Sequence, residues 1–307
     1  MPSLHELRQR LSGLVAPIVT PFDDNGAVSL SGLRHVLEFV VDAGVDAVIP
    51  GDLVGEFFSL TLEERRLLLQ ESVNAAGSRI VVIALTADAS LDNAIALAQF
   101  AQRAGADVVK LALPYPYTPP EPVILSYFRK VADSVELPFI VESSDELEIP
   151  LTVIEALCEH PRFSGLEELG SDVGRLDKLY REFSERLVIL PSGEPALLFL
   201  CLLGTPGLIA AECNFAPAFM REFLEACHRR DLDGALELFG RRRRYRDLFR
   251  DGLRRGLPMY TPWAKAAMEL LGLPVGKPRL PHEPVSPEAL HVLRAALREE
   301  FGLSPVA

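Results

Sequence analysis

Eight times between residues 13 and 211, a short apolar run gives way to a turn and then to a stretch with helical spacing. The apolar runs are Gly13–Pro21, Val45–Pro50, Ile80–Leu85, Asp107–Leu113, Pro138–Glu142, Phe163–Glu167, Leu187–Leu190 and Gly207–Ala211. Each is nearly continuous, the pattern of strands buried on both faces of a parallel sheet. Between them, Leu33, Val36, Leu37 and Val40 share one face of a helix over Ser29–Ala43. Thr61 and Glu64 have capping-box spacing, and Gly44 and Gly105 stand where glycines end helices. Further helices are expected over Ser90–Ala104, from Pro120 to Val135, and over Leu151–His160, Asp172–Phe183 and Glu194–Leu203. Eight such units in succession predict an α/β fold, a (β/α)8 TIM barrel rather than a doubly wound sheet. Residues 3–11 read as a short polar helix. After residue 215 the pattern is wholly helical: Pro217–Arg229, Leu232–Arg255, Pro262–Leu271 and Pro287–Phe301. The expected division is a barrel with its short N-terminal helix over residues 1–214 and a C-terminal helical extension over 215–307. The extension is expected on the barrel's flank or at a subunit contact.

Composition narrows the function classes. The 307 residues carry 31 Lys+Arg against 43 Asp+Glu, a formal charge of −12. That disfavours nucleic acid as a partner and favours a soluble protein. Cys158, Cys201, Cys213 and Cys227 show no C-x-x-C spacing and read as reduced thiols of a cytoplasmic protein. The charged N-terminus, MPSLHELRQRL, has no apolar core, so no signal peptide is expected. The richest apolar run, Ala196–Leu203, is too short to span a membrane.

The order of motifs resembles the dihydrodipicolinate synthase / N-acetylneuraminate lyase family of aldolases. Ile18-Val-Thr-Pro-Phe22 with the Asn25-Gly26 turn is similar to the family's opening strand. Gly55-Glu56 with Ser59-Leu-Thr-x-Glu-Glu64 is similar to its glycine loop and following helix. Gly105-Ala-Asp107 leading to Pro114-Tyr115, Leu137-Pro138, Ser192-Gly193-Glu194, Asn214-x-Ala-Pro217 and Lys265-Ala-Ala-x-x-Leu-Leu-Gly272 follow in the family's order. The resemblance implies a Schiff-base lysine on the sixth strand, a proton-relaying tyrosine ending the fifth, and a Thr-Thr pair holding a keto acid's carboxylate. This chain has Glu167, Glu142 and Leu53-Val54 at those positions, and the acidic Ser143-Ser-Asp-Glu-Leu-Glu148 where the family carries an arginine-bearing loop. It also implies a small-molecule ligand at the barrel mouth and a homotetramer or homodimer.

A carboxylate cannot form an imine, so Glu167 removes Schiff-base chemistry from that position. Glu56, Glu142, Glu167, Glu194 and Glu212 instead gather acids at the mouth. Glu142 and Glu167 are candidate acid/base partners, with pKa values pushed apart by repulsion. They are equally candidates for holding a divalent cation, a cationic ligand or a polyhydroxyl ligand, or for sitting solvated on the rim. No histidine stands at a strand end, which argues against a zinc site. Lys110, inside Val108-Val-Lys-Leu-Ala-Leu113, reads either as a relocated amine nucleophile with a pKa lowered by burial, as a structural partner of Glu142, or as a snorkelling side chain. Strand parity leaves this open, because both neighbours are apolar. The candidate catalytic residues are Glu142, Glu167 and Lys110. The candidate substrate contacts are Asp52, Leu53, Val54, Glu56, Tyr115, Glu194 and Glu212. No resident cofactor is expected beyond a possible divalent cation at Glu142 and Glu167. The basic run Arg241-Arg-Arg-Arg-Tyr-Arg246, continuing to Arg250, Arg254 and Arg255, is broken by Asp247 and Asp251 and reads as a solvated or interface helix. Tyr260 and Trp263 are expected to pack the C-terminal helices. The leading expectation is a lyase or hydratase relative using mouth glutamates. The alternatives are an inactive binding, regulatory or assembly subunit, and a pyruvate aldolase using Lys110.

Overall fold

The structure, a computed structural model, describes residues 6, 9–113, 118–250 and 260–306. Eight strands form one parallel sheet: β1 (Gly13–Ile18), β2 (Ala47–Pro50), β3 (Val81–Leu85), β4 (Val108–Leu111), β5 (Phe139–Ser143), β6 (Phe163–Glu168), β7 (Val188–Pro191) and β8 (Gly207–Ile209). Their order is β7-β6-β5-β4-β3-β2-β1-β8, and β7 meets β8 at the seam. This is the (β/α)8 barrel that the alternation predicts. The helices between strands are α1 (Leu30–Asp42), α2 (Leu62–Ala76), α3 (Leu91–Ala104), α4 (Glu121–Asp133), α5 (Leu151–Leu157), α6 (Val173–Phe183) and α7 (Glu194–Leu203). The Thr61/Glu64 capping box opens α2 as expected, and Asp172 caps α6 by accepting from the N–H groups of Gly174 and Arg175.

Four helices follow β8: α8 (Pro217–His228), α9 (Leu232–Asp247), α10 (Tyr260–Leu270) and α11 (Pro287–Phe301). Because α8 packs against β1 and α7, it is the barrel's own eighth helix. The expected limit at residue 214 thus falls between β8 and its helix, and the extension proper begins with α9. Helix α9 ends at Asp247, earlier than its sequence pattern suggests; Arg254 and Arg255 lie outside the described residues, as does most of the expected N-terminal helix. Among the described residues no helix is long and apolar enough to cross a membrane. All four cysteines are free, three of them buried.

Strand parity settles which residues face the lumen. Val15, Ile49, Ile83, Leu85, Val108, Ile140, Val188, Leu190 and Ile209 form one cluster inside the barrel. Their strand neighbours Val48, Val82, Val109, Leu111, Val141, Leu166 and Ile189 belong to the core between sheet and helices. Lys110, two residues beyond Val108, and Glu142, two beyond Ile140, therefore point into the lumen. The ladder places Glu142 directly opposite Glu167. Glu168 faces the helices instead, where Arg175 Nη2 lies 3.2 Å from its Oε2.

Candidate functional site

The C-terminal ends of the strands surround a cavity of about 90 Å³. Its wall takes Pro17 from β1, Asp52, Leu53 and Val54 from the loop after β2, and Lys110, Glu142 and Glu167 from β4, β5 and β6. Ser192 and Gly193 follow β7, Ala210 and Ala211 follow β8, and Arg242, Arg246 and Tyr260 reach in from the extension. This is the end of a (β/α)8 barrel at which active sites are built.

At the floor, Lys110 is 1% exposed and fully enclosed by acids. Its Nζ lies 2.8 Å from Asp52 Oδ2 and 2.7 Å from Glu142 Oε2, and it also contacts Glu167 Oε2. Burial alone lowers the ammonium's pKa, but Asp52, Glu142 and Glu167 outweigh it and hold Lys110 well above its ordinary value. The expectation of a lysine whose pKa burial lowers, leaving a neutral nucleophilic amine, is thereby corrected, and so is the reading of a snorkelling side chain. One ammonium cannot balance three carboxylates. The excess falls on Glu167, which burial, then the charges of Glu142 and Asp52, push up to about 8 against the pull of Lys110. Glu142 is less enclosed, its side chain 27% exposed on the cavity side.

This proton has a measurable consequence. Between pH 4.5, the ordinary carboxyl value, and about 8, the folded chain holds a proton on Glu167 that the unfolded chain has released. The stability contributed by this group therefore falls as pH rises across that window. Glu167→Gln, neutral at every pH, is expected to match the parent's melting temperature near pH 5, exceed it increasingly up to about pH 8 and keep that margin above it. A difference that does not change with pH would show that Glu167 carries no such proton.

The remaining mouth acids do not join this cluster. Glu212 faces Arg242, whose Nη2 donates to Oε2 at 3.2 Å and whose Nε lies 3.1 Å from Oε1. Burial raises the Glu212 pKa, but Arg242 and Arg246 reverse this and hold it below the usual range. Glu194 is approached by Arg242, Arg246 and Arg250 at 3.9, 3.6 and 3.6 Å. Neither acid lines the cavity; each stands behind an arginine that does. Glu56 is not a mouth residue either. It is fully buried, 2.7 Å from Lys265 Nζ, with the Arg279 N–H donating to it at 2.8 Å and His282 Nδ1 at 3.5 Å. Its role is to clip the loop after β2 to the C-terminal segment. Tyr115 lies outside the described residues. Among the described residues no three His, Cys, Asp or Glu side chains are arranged to hold a metal ion; the acids at the floor converge on the Lys110 ammonium.

For part of the basic run, the reading of a solvated helix is also corrected. Its arginines at 242, 246 and 250 recur every fourth residue; α9 turns the first two inward, and Arg250 lies just beyond its end. Arg242 and Arg246 are 2% and 7% exposed, and the Arg246 guanidinium stacks 4.5 Å from the Tyr260 ring centre. Tyr260 thus belongs to the cavity, while Trp263 packs on Phe249 at 5.2 Å as expected. Of the run's described arginines, only Arg243 and Arg244 are exposed. The i, i+4, i+8 spacing was the signal in the sequence, but it does not say which face of the helix is covered.

Comparison with known proteins bears on the whole chain. The model of the dihydrodipicolinate synthetase family matches residues 10–300. A 4-hydroxy-tetrahydrodipicolinate synthase of Nitrosospira multiformis is 31% identical over 294 residues, covering 94% of this chain and 95% of its own. The dihydrodipicolinate synthase structure from Aquifex aeolicus superposes with a TM-score of 0.88 at 25% identity, covering 97% of this chain and all of its own. That of the Acinetobacter baumannii enzyme, complexed with pyruvate, gives 0.85 at 26% identity over 95% of this chain and 99% of its own.

Proposed function

The chain belongs to the dihydrodipicolinate synthetase family, and on that footing we propose that it is a lyase- or hydratase-type enzyme that works on a small oxygenated substrate without an imine. The observation that carries this is the buried cluster of Lys110 with Asp52, Glu142 and Glu167. An imine needs a neutral amine on the nucleophile. Lys110 is held as an ammonium, and the position that resembles the family's Schiff-base lysine carries a carboxyl group. The cluster instead supplies two carboxyl groups in different settings, Glu167 buried and Glu142 open to the cavity, the arrangement that separates an acid from a base. Glu142, reachable from the cavity, takes a proton from the carbon next to the substrate's carbonyl group. Lys110 stabilises the negative charge that develops on that group's oxygen. Glu167, protonated near neutrality, returns a proton to the departing oxygen, which leaves as water or as an alcohol. The Lys110 ammonium already supplies the positive charge among these acids, so the reading requires no divalent cation.

Incubation of the protein in D2O with a panel of small hydroxy and oxo acids, followed by proton NMR, tests this. The parent is expected to exchange the proton next to the carbonyl group in at least one of them. Glu142→Gln is expected to slow that exchange by about 10²–10⁴-fold. Glu167→Gln is expected to keep the exchange but lose the elimination. Failure to exchange any panel member favours the inactive, binding-only alternative. A borohydride-trapped pyruvate adduct on Lys110, seen by mass spectrometry, would replace this reading with imine chemistry.

A further inference from the structure

Arg242 is, among the described residues, the largest fully buried side chain, and it lines the cavity. Its hydrogen-bonding capacity is only part used. Nη2 donates to Glu212 Oε2. Nε is 3.1 Å from Glu212 Oε1, and Nη1 is 3.9 Å from Glu194 Oε1, but neither is aligned or close enough to make a hydrogen bond. Among the described residues both nitrogens are buried and without a hydrogen-bond partner. A buried donor left unmade costs about 1–3 kcal/mol, more when it is charged. Glu212 is engaged along the Nε–Nη2 edge of the guanidinium, while Nη1, 3.9 Å from Glu194 Oε1, has donor capacity left for a further oxygen. Arg246 borders the same space, its plane fixed by stacking on Tyr260.

We infer that Arg242, with Arg246 beside it, binds the carboxylate of a small monocarboxylic acid. The acid end of the substrate then lies against α9, and its reacting carbons lie over Glu142 and Lys110. This rests on the proposed acid/base reading and names the substrate class for it. Charge decides which anion. Arg242 and Arg246 are already set against Glu212 and Glu194, and Arg250 against Asp247 at 2.5 Å. The basic wall therefore has well-placed donors but no surplus of positive charge. A single delocalised charge suits that wall, and a phosphate dianion is repelled by Glu194 and Glu212.

Isothermal titration with D-glycerate, inorganic phosphate and glycerol tests the assignment. The parent is expected to bind glycerate and to bind phosphate and glycerol at least tenfold more weakly. Arg242→Lys keeps a cation opposite Glu212, and so the fold, but removes the planar Nη1 end; it is expected to weaken glycerate at least tenfold. Arg246→Gln, away from the Glu212 hydrogen bond, is expected to weaken it several-fold. Unchanged glycerate affinity in Arg242→Lys, tighter binding of phosphate than of glycerate, or no glycerate binding by the parent overturns the inference. Glu167→Gln is expected to bind glycerate as the parent does. Binding that survives there while chemistry fails separates this anchor from the acid/base reading, and proton exchange in a protein whose Arg242→Lys form binds normally separates them in the other direction.

Discussion

Replacing Lys110 by methionine is expected to destabilise the barrel by about 3–5 kcal/mol at neutral pH, the usual cost of stranding buried charge. The methionine fills a similar volume, so loss of packing contributes little. What is lost is the one cation among Asp52, Glu142 and Glu167, all of which contact Nζ. The deficit is expected to shrink toward pH 5, because the stranded carboxylates can then take up protons instead of opening the barrel. Urea unfolding followed by circular dichroism, run at pH 5 and pH 8, measures both. A cost below about 1 kcal/mol at pH 8 would show that the acids are solvated in the native state.

Glu56→Ala is expected to cost a similar 3–5 kcal/mol by stranding Lys265. Burial already lowers Lys265 to about 8 against the support of Glu56, and its ammonium also rests 4.1 Å from the centre of the Phe22 ring. Without Glu56 that pKa drops further, so the variant's deficit is expected to narrow as pH rises toward 9.5, where the lysine folds neutral. In the parent, burial opposes ionisation of Glu56, but His282, Lys265 and the Arg279 N–H hold it below the ordinary value of 4.5. Its contribution is therefore present above that value and lost as pH falls through the lowered one. A deficit equal at pH 7 and 9.5 would mean that Lys265 is not what the mutation strands.

The two clusters show how far the sequence could be read. The alternation of apolar runs and helical stretches needs only local chemistry, so the barrel, the Thr61 capping box and the ends of most helices were legible. Lys110 was visible as an anomaly, but its direction was not, since Val109 and Leu111 are as apolar as any lumen residue. The register that sets Lys110 between Leu85 and Ile140, both lumen residues, decides it. Asp52 was read as a substrate contact and is in addition a partner of Lys110, a pairing across 58 residues that no local pattern encodes. The five acids looked like one group because each follows a strand. They form three, because Glu56 turns to the C-terminal segment and Glu194 and Glu212 meet arginines from a helix beyond the barrel. Arg242 was missed as a site residue for the same reason: a basic helix reads as solvated until its packing face is known.

That helix gives the protein a division of labour across its length. The strand ends that hold Lys110 and its acids are fixed by barrel packing, where a change in one strand disturbs the next. Helix α9 presents Arg242 and Arg246 to the same cavity from an element added after the eight units are complete. On the function proposed above, substitutions on its inward stripe alter what the cavity admits while the floor keeps its shape. Selection could then revise substrate choice and reaction chemistry as separate traits, one written in the appended helix and the other in the strands.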